Sequence, residues 1–212
     1  GADLTQLFNY LTGYGRQERF RRLLVAPGPL RPKLTQLIAQ EASAGTNGRI
    51  TMKMNSLVDD EMVQALYAAS LAGVRIDLII RGICCLRPGV AGLSENIRVR
   101  SIVGRYLEHS RVYHFANGRG PGAAAYYIGS ADLMPRNLDR RVEALVPIED
   151  RAMQVRLREV LDVNLADDEL SWTLEPDGTW TKLPTRHAIN THRELQQLAV
   201  ERSKRAELHP MS

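Results

Sequence analysis

Apolar and polar positions alternate along this chain with two different periods. From Pro32 to Ala44, Leu34, Leu37, Ile38 and Ala42 recur at helical spacing, with proline at the start and Gly45 past the end. Asp59 stands as an N-cap, Asp60 and Glu61 fill the first turn, and Met62, Leu66 and Ala69 share a face until Gly73. Leu4–Leu11, Arg151–Leu165 and Ala188–Leu208 read as further helices, the last striped by Leu195, Leu198 and Val200. Short runs bounded by turn residues read as strands: Arg21–Pro27, Arg49–Asn55, Arg75–Gly82, Ile97–Val103, Arg111–Phe115, Ala124–Ile128 and Val142–Val146. The first third therefore reads strand, helix, strand, helix, strand, which predicts parallel strands covered by helices. Leu170–Leu183 predicts a hairpin turning at Glu175–Gly178, with Trp172 and Trp180 as cross-strand packing partners. The expected layout is one α/β body over 1–168, with the hairpin and helix of 169–212 appended to it.

Composition changes this picture little. Of 212 residues, 44% are hydrophobic and 25% charged, which excludes wholesale disorder. The net charge of +4 permits an anionic partner without demanding one. The two cysteines, Cys84 and Cys85, are adjacent, so they cannot staple distant segments. They read as buried core thiols in a reducing compartment. No apolar run is long enough to span a membrane, and the opening residues lack a signal-peptide pattern. With no initiator Met and an immediate apolar-periodic segment, the chain reads as a piece of something longer.

Candidate chemistry is concentrated in Glu108-His109-Ser110-Arg111-Val112-Tyr113-His114-Phe115. If the strand extends back to His109, alternation puts His109, Arg111, Tyr113 and Phe115 on one face and His114 on the other, as a structural or exposed residue. Imidazole can attack phosphorus or protonate a leaving oxygen, and a guanidinium fork holds two phosphate oxygens. A lone H-x-R, however, is ordinarily a surface histidine beside a solvated arginine. The next strand ends in Gly129-Ser130-Ala131-Asp132, a turn whose N–H groups and hydroxyl could cradle an anion. Arg81 closes its strand at the carboxyl end, the edge where α/β sheets bind ligands. His187, His192 and His209 read as scattered surface residues.

The pair H-x-R and G-S-A-D resembles the H-x-K and G-S-x-N motifs of the phospholipase D superfamily, with Arg111 where lysine is usual and Asp132 where asparagine is usual. One branch matches more fully. NSLVD (55–59), RGICCL (81–86), NIRVRSIV (96–103), RYLEHSRV (105–112) and GSADLMPRNLDRRV (129–142), with DLTQLFNYL (3–11), resemble the C-terminal region of bacterial type-1 polyphosphate kinases. The resemblance implies a phospholipase-D-like α/β fold, a mixed sheet flanked by helices with a C-terminal hairpin and helix. It implies reversible transfer of the terminal ATP phosphate to inorganic polyphosphate, with Mg²⁺, through a phosphohistidine. That histidine belongs to an upstream domain with no counterpart here, as do the Mg²⁺ and adenine contacts. His109 matches the second active-site histidine and Arg81 a nucleotide-phosphate-binding arginine.

The same resemblance implies ATP/ADP and polyphosphate as partners, upstream domains of the same polypeptide, a homo-oligomer when full length, no nucleic acid, and a cytoplasmic location or the inner-membrane periphery. Arg111, Ser130, Arg136 and Arg141 join Arg81 and His109 as candidate phosphate-binding residues, and Arg98, Arg100, Arg105 and Arg140 are further candidates by density. The isolated segment carries half a site and is expected to be inactive. A phospholipase-D-like phosphodiesterase and a non-catalytic anion-binding module stand as alternatives.

Overall fold

The computed structural model describes residues 2–13 and 20–208. Nine strands form one mixed sheet in the order β1-β7-β6-β5-β2-β3-β4-β8-β9. The strands are β1 (Leu24–Ala26), β2 (Arg49–Met54), β3 (Arg75–Ile80), β4 (Ile97–Ile102), β5 (Val112–Phe115), β6 (Ala125–Gly129), β7 (Glu143–Pro147), β8 (Ser171–Leu174) and β9 (Trp180–Lys182). The helices are α1 (Ala2–Leu11), α2 (Leu30–Ser43), α3 (Asp60–Leu71), α4 (Pro135–Asp139), α5 (Arg151–Ala166) and α6 (Thr191–Leu208). β2, β3 and β4 are parallel neighbours, and every other strand pair is antiparallel.

Alternation along the central strands divides the core in two. Ile50, Met52, Met54, Ile76, Leu78, Ile80, Tyr113 and Phe115 meet Leu34, Leu37 and Ile38 of α2 and Met62 and Leu66 of α3. On the other face Ile79, Ile102 and Val112 meet Leu161 of α5. The sheet is thus covered on both sides, as parallel strands require. Asp59 caps α3 as expected, its carboxylate accepting the Met62 N–H at 3.1 Å.

Five expectations are corrected. β1 pairs antiparallel with β7 at the far edge instead of lying parallel to β2, because β3 and β5 occupy both sides of β2. β5 starts at Val112, so His109 lies in the preceding loop; the β2–β5 ladder ends at Lys53↔Val112. α6 starts at Thr191 and not Ala188. The Asp168 carboxylate instead gathers the N–H groups of Arg186, His187 and Ile189, Ala188 takes a positive φ of 54°, and Asn190 accepts the Arg193 N–H. Trp172 lies opposite Lys182, whose ammonium sits 5.8 Å from its ring, while Trp180 lies opposite Leu174. Cys84 is half-buried and Cys85 exposed, because both follow the end of β3 on the rim of the sheet. The hairpin β8–β9 pairs with β4, so it extends the same sheet.

Candidate functional site

Three strands deliver their carboxyl ends to one end of the sheet. β2 and β3 run in register to Met54↔Ile80, and β6, antiparallel to β5, ends at Gly129 beside the start of β5. Single bridges then tie Leu57 to both Cys84 and Leu133, knitting the segments that follow β2, β3 and β6. The stretches singled out in the sequence, 55–59, 81–86, 105–112 and 129–142, therefore meet at one rim.

At that rim Asp132 is buried, and its carboxylate accepts the Asn55 N–H at 2.7 Å. The same carboxylate holds the Arg111 guanidinium in a two-pronged ion pair at 3.0 and 3.3 Å. Burial opposes charge on Arg111, but this partner outweighs it and raises the guanidinium pKa. Arg111 also donates to the His109 carbonyl at 2.8 Å, and the Tyr113 hydroxyl donates to the Ala131 carbonyl at 2.7 Å. His109 itself is exposed.

Arg81 turns to the opposite face of the sheet. It lines a cavity of about 80 Å³ with Lys53, Glu108, Ser110, Thr191 and His192. Its Nη1 is buried and makes no hydrogen bond. A buried guanidinium nitrogen without a partner is costly, and a phosphate oxygen would satisfy it. Lys53 reaches across to an ion pair with Glu108, which also accepts the Ser110 N–H at 2.8 Å. Burial raises the Glu108 pKa, but Lys53 and Ser110 overcome it and leave the carboxyl below its usual value. His109 sits between two cavity-lining residues without lining the cavity itself, and no hydrogen bond joins it to Arg81. The two share an end of the sheet; Arg81 opens toward α5 and α6, Arg111 toward α2 and α3.

The Gly129-Ser130 turn differs from the expected cradle. The Gly129 N–H donates to the Arg111 carbonyl and the Ser130 N–H to the Ala144 carbonyl, so neither faces a ligand. The exposed Ser130 hydroxyl accepts the Ala144 N–H at 3.2 Å, which leaves its own proton to donate. Gly129 is required for contact: a Cβ there would lie 2.0 Å from the Ala144 carbonyl oxygen. Arg136 and Arg141 are exposed, linked by a backbone bond from Arg141 N–H to the Arg136 carbonyl, and neither joins an ion pair among the described residues. Arg98 and Arg140 are exposed.

Arg100 is withdrawn from the candidates. It points to the carboxyl end of α5 and donates to the Leu165 carbonyl at 2.5 Å. Arg105 lies over the Tyr106 ring at 5.6 Å. His114 is buried, and burial pushes its pKa down to about 4. His187 is exposed and His192 half-buried against Tyr106, while His209 falls outside the described residues. Among the described residues no group of three His, Cys, Asp or Glu side chains is placed to hold a metal ion.

Sequence reasoning missed Lys53, Glu108 and Arg31. Lys53 carried a signal, a lone charge inside a strand otherwise buried beyond its first residue. Arg31 binds Asp59, Glu61 and Asp139 together, which ties α4 to the start of α3. Nothing in its local sequence marks that role.

A mixed sheet with helices on both faces and an H-x-R loop beside a G-S-A-D turn defines a phospholipase-D-like domain. A phospholipase D family member, Nuc from Salmonella typhimurium, shares the fold at a TM-score of 0.52 over 73% of this chain and 97% of its own, with 17% identity. Residues 23–194 match the family model described as polyphosphate kinase C-terminal domain 2, and the chain belongs to that family.

A polyphosphate kinase of Thermosynechococcus vestitus is 57% identical over 183 residues, which is 85% of this chain and 25% of the relative. One of Streptomyces coelicolor is 50% identical over 97% of this chain and 28% of its own length. The crystal structure of polyphosphate kinase from Porphyromonas gingivalis superposes with a TM-score of 0.88 at 35% identity, covering 95% of this chain and 31% of that one. The chain thus spans about a quarter of the curated relatives it matches.

Proposed function

We propose that this domain supplies one wall of the active site of an ATP:polyphosphate phosphotransferase, completed by upstream domains of the same polypeptide. The observation that carries this is the buried, unpartnered Nη1 of Arg81, at the rim where the segments bearing His109, Ser130 and Arg141 also meet. Phosphoryl transfer asks a protein mainly for positioning and charge compensation. Arg81 binds a phosphate oxygen of the nucleotide or of the chain end. Ser130 donates its hydroxyl, and Arg136 and Arg141 offset charge along the polymer. His109 neutralises or protonates the oxygen that enters or leaves, while the phosphohistidine forms on the missing upstream domain. Mg²⁺, held by residues of the upstream domains, would offset nucleotide charge. ATP, ADP and polyphosphate are the partners, and the full-length protein is a cytoplasmic homo-oligomer.

Defined-length polyphosphate titrated into the full-length enzyme tests the wall. Arg81→Ala and Arg141→Ala each weaken binding roughly tenfold or more, one lost charge-assisted contact each. Binding falls as salt rises, as for other polyanions. Unchanged affinity in both variants contradicts the reading.

A further inference from the structure

We infer that Arg111 is a positioning residue for His109 rather than a phosphate ligand, and that the Lys53–Glu108 pair performs the matching task on the other face of the sheet. The inference deepens the proposed function and rests on it for the role of His109.

Both departures from the superfamily motif, arginine for lysine and aspartate for asparagine, fall on the two members of one ion pair. Asp132 engages two nitrogens of the Arg111 guanidinium, and the third, Nη1, is aimed at the His109 carbonyl. Each nitrogen of the fork makes one hydrogen bond within the protein, using three of its five N–H donors. The pair is little exposed, with 19% of the Arg111 side chain and 9% of the Asp132 side chain open. To turn its Nε–Nη2 edge onto a phosphate Arg111 would have to leave a buried carboxylate uncompensated, which is costly. Lysine could not make these contacts, because an ammonium lacks the planar fork.

On the opposite face Lys53, only 10% exposed, holds Glu108, and Glu108 accepts the Ser110 N–H. The residue before His109 is thus drawn to one face, and the carbonyl of His109 to the other. An exposed loop outside the β5 ladder would otherwise leave the imidazole free to wander. Asp132 extends the clamp to the end of β2 through the Asn55 N–H. A displacement of about 1 Å at a reacting group costs roughly 100-fold in rate.

The test uses the full-length enzyme and two readouts. Hydrogen exchange of the peptide spanning 108–111 accelerates about tenfold or more in Arg111→Gln, Asp132→Asn and Glu108→Gln, a readout independent of activity. In the same variants kcat falls roughly 10- to 100-fold while the KM for polyphosphate changes little. Arg111→Gln with Asp132→Asn is no worse than the poorer single variant, because the two act as one unit. Arg111→Lys fails to rescue. If Asp132→Asn does not fold, Arg111→Lys and Glu108→Gln give the same two readouts. The inference is overturned if Arg111→Gln leaves exchange unchanged and raises KM about tenfold, with Arg111→Lys restoring it. If exchange accelerates but His109→Ala leaves the rate intact, the clamp stands and the proposed function fails.

Discussion

His114 and His109 lie five residues apart in different settings, the first buried and the second exposed. His114 is buried under α5 beside Tyr126, its ring 4.6 Å from the tyrosine ring. Its pKa is depressed to about 4 from 6.5, so the folded protein binds its proton later than the unfolded chain does. The stability this neutral ring contributes is complete above pH 6.5 and is lost as pH falls through 4, amounting to about 3 kcal/mol at most. Denaturant titrations of the native protein and His114→Gln over that window check it: the difference between them shrinks on acidification, and a constant difference contradicts it. Asp59 was legible as a cap, and Asp59→Ala should cost about 2 kcal/mol or more, since it also removes the most buried of the three carboxylates that hold Arg31. The Arg111–Asp132 pair was not legible. Alternation assigns a side chain to a face, but its partner 21 residues away is set by where β6 ends.

At the scale of elements, most strands and helices could be read because period and punctuation agree there. β2, β3 and β4 are apolar runs closed by turns, and α3 carries its own cap. The elements misread are those whose fate is decided elsewhere. β1 is three residues long and takes the edge left open by β7. The start of α6 is delayed because Asp167 and Asp168 capture the N–H groups ahead of it. The G-S-A-D turn was located correctly, yet the N–H groups of Gly129 and Ser130 proved to be donors to the neighbouring strands. The pairing of β6 with β7 gives a prediction. Gly129→Val forces β6 and β7 apart and should destabilise by about 3 kcal/mol or more, seen as a lower denaturant midpoint. A midpoint within error of the native protein shows that the close approach is not needed.

For the whole molecule, the sheet brings to one rim His109, an arginine whose Nη1 is buried without a partner, with His192 beside it in the cavity, and two exposed arginines outside any ion pair among the described residues. The site reads as one wall, in keeping with a chain that covers a quarter of its curated relatives. The purified 212-residue chain should therefore make no polyphosphate from ATP. Robust synthesis by it would refute the divided site. The rim was legible through its motifs. The parity of Arg81 with Ile79 and of Arg111 with Tyr113 was legible as well, but that these two parities take opposite faces of the sheet was not, because it is set by the registers of β2 with β3 and with β5.

The most direct measurement is steady-state polyphosphate synthesis by the full-length enzyme carrying His109→Ala. A histidine that handles charge on the transferred oxygen predicts a fall in kcat of about 100-fold or more, with nucleotide affinity kept within about threefold. A rate within about twofold of the unsubstituted enzyme would contradict the role given to this rim.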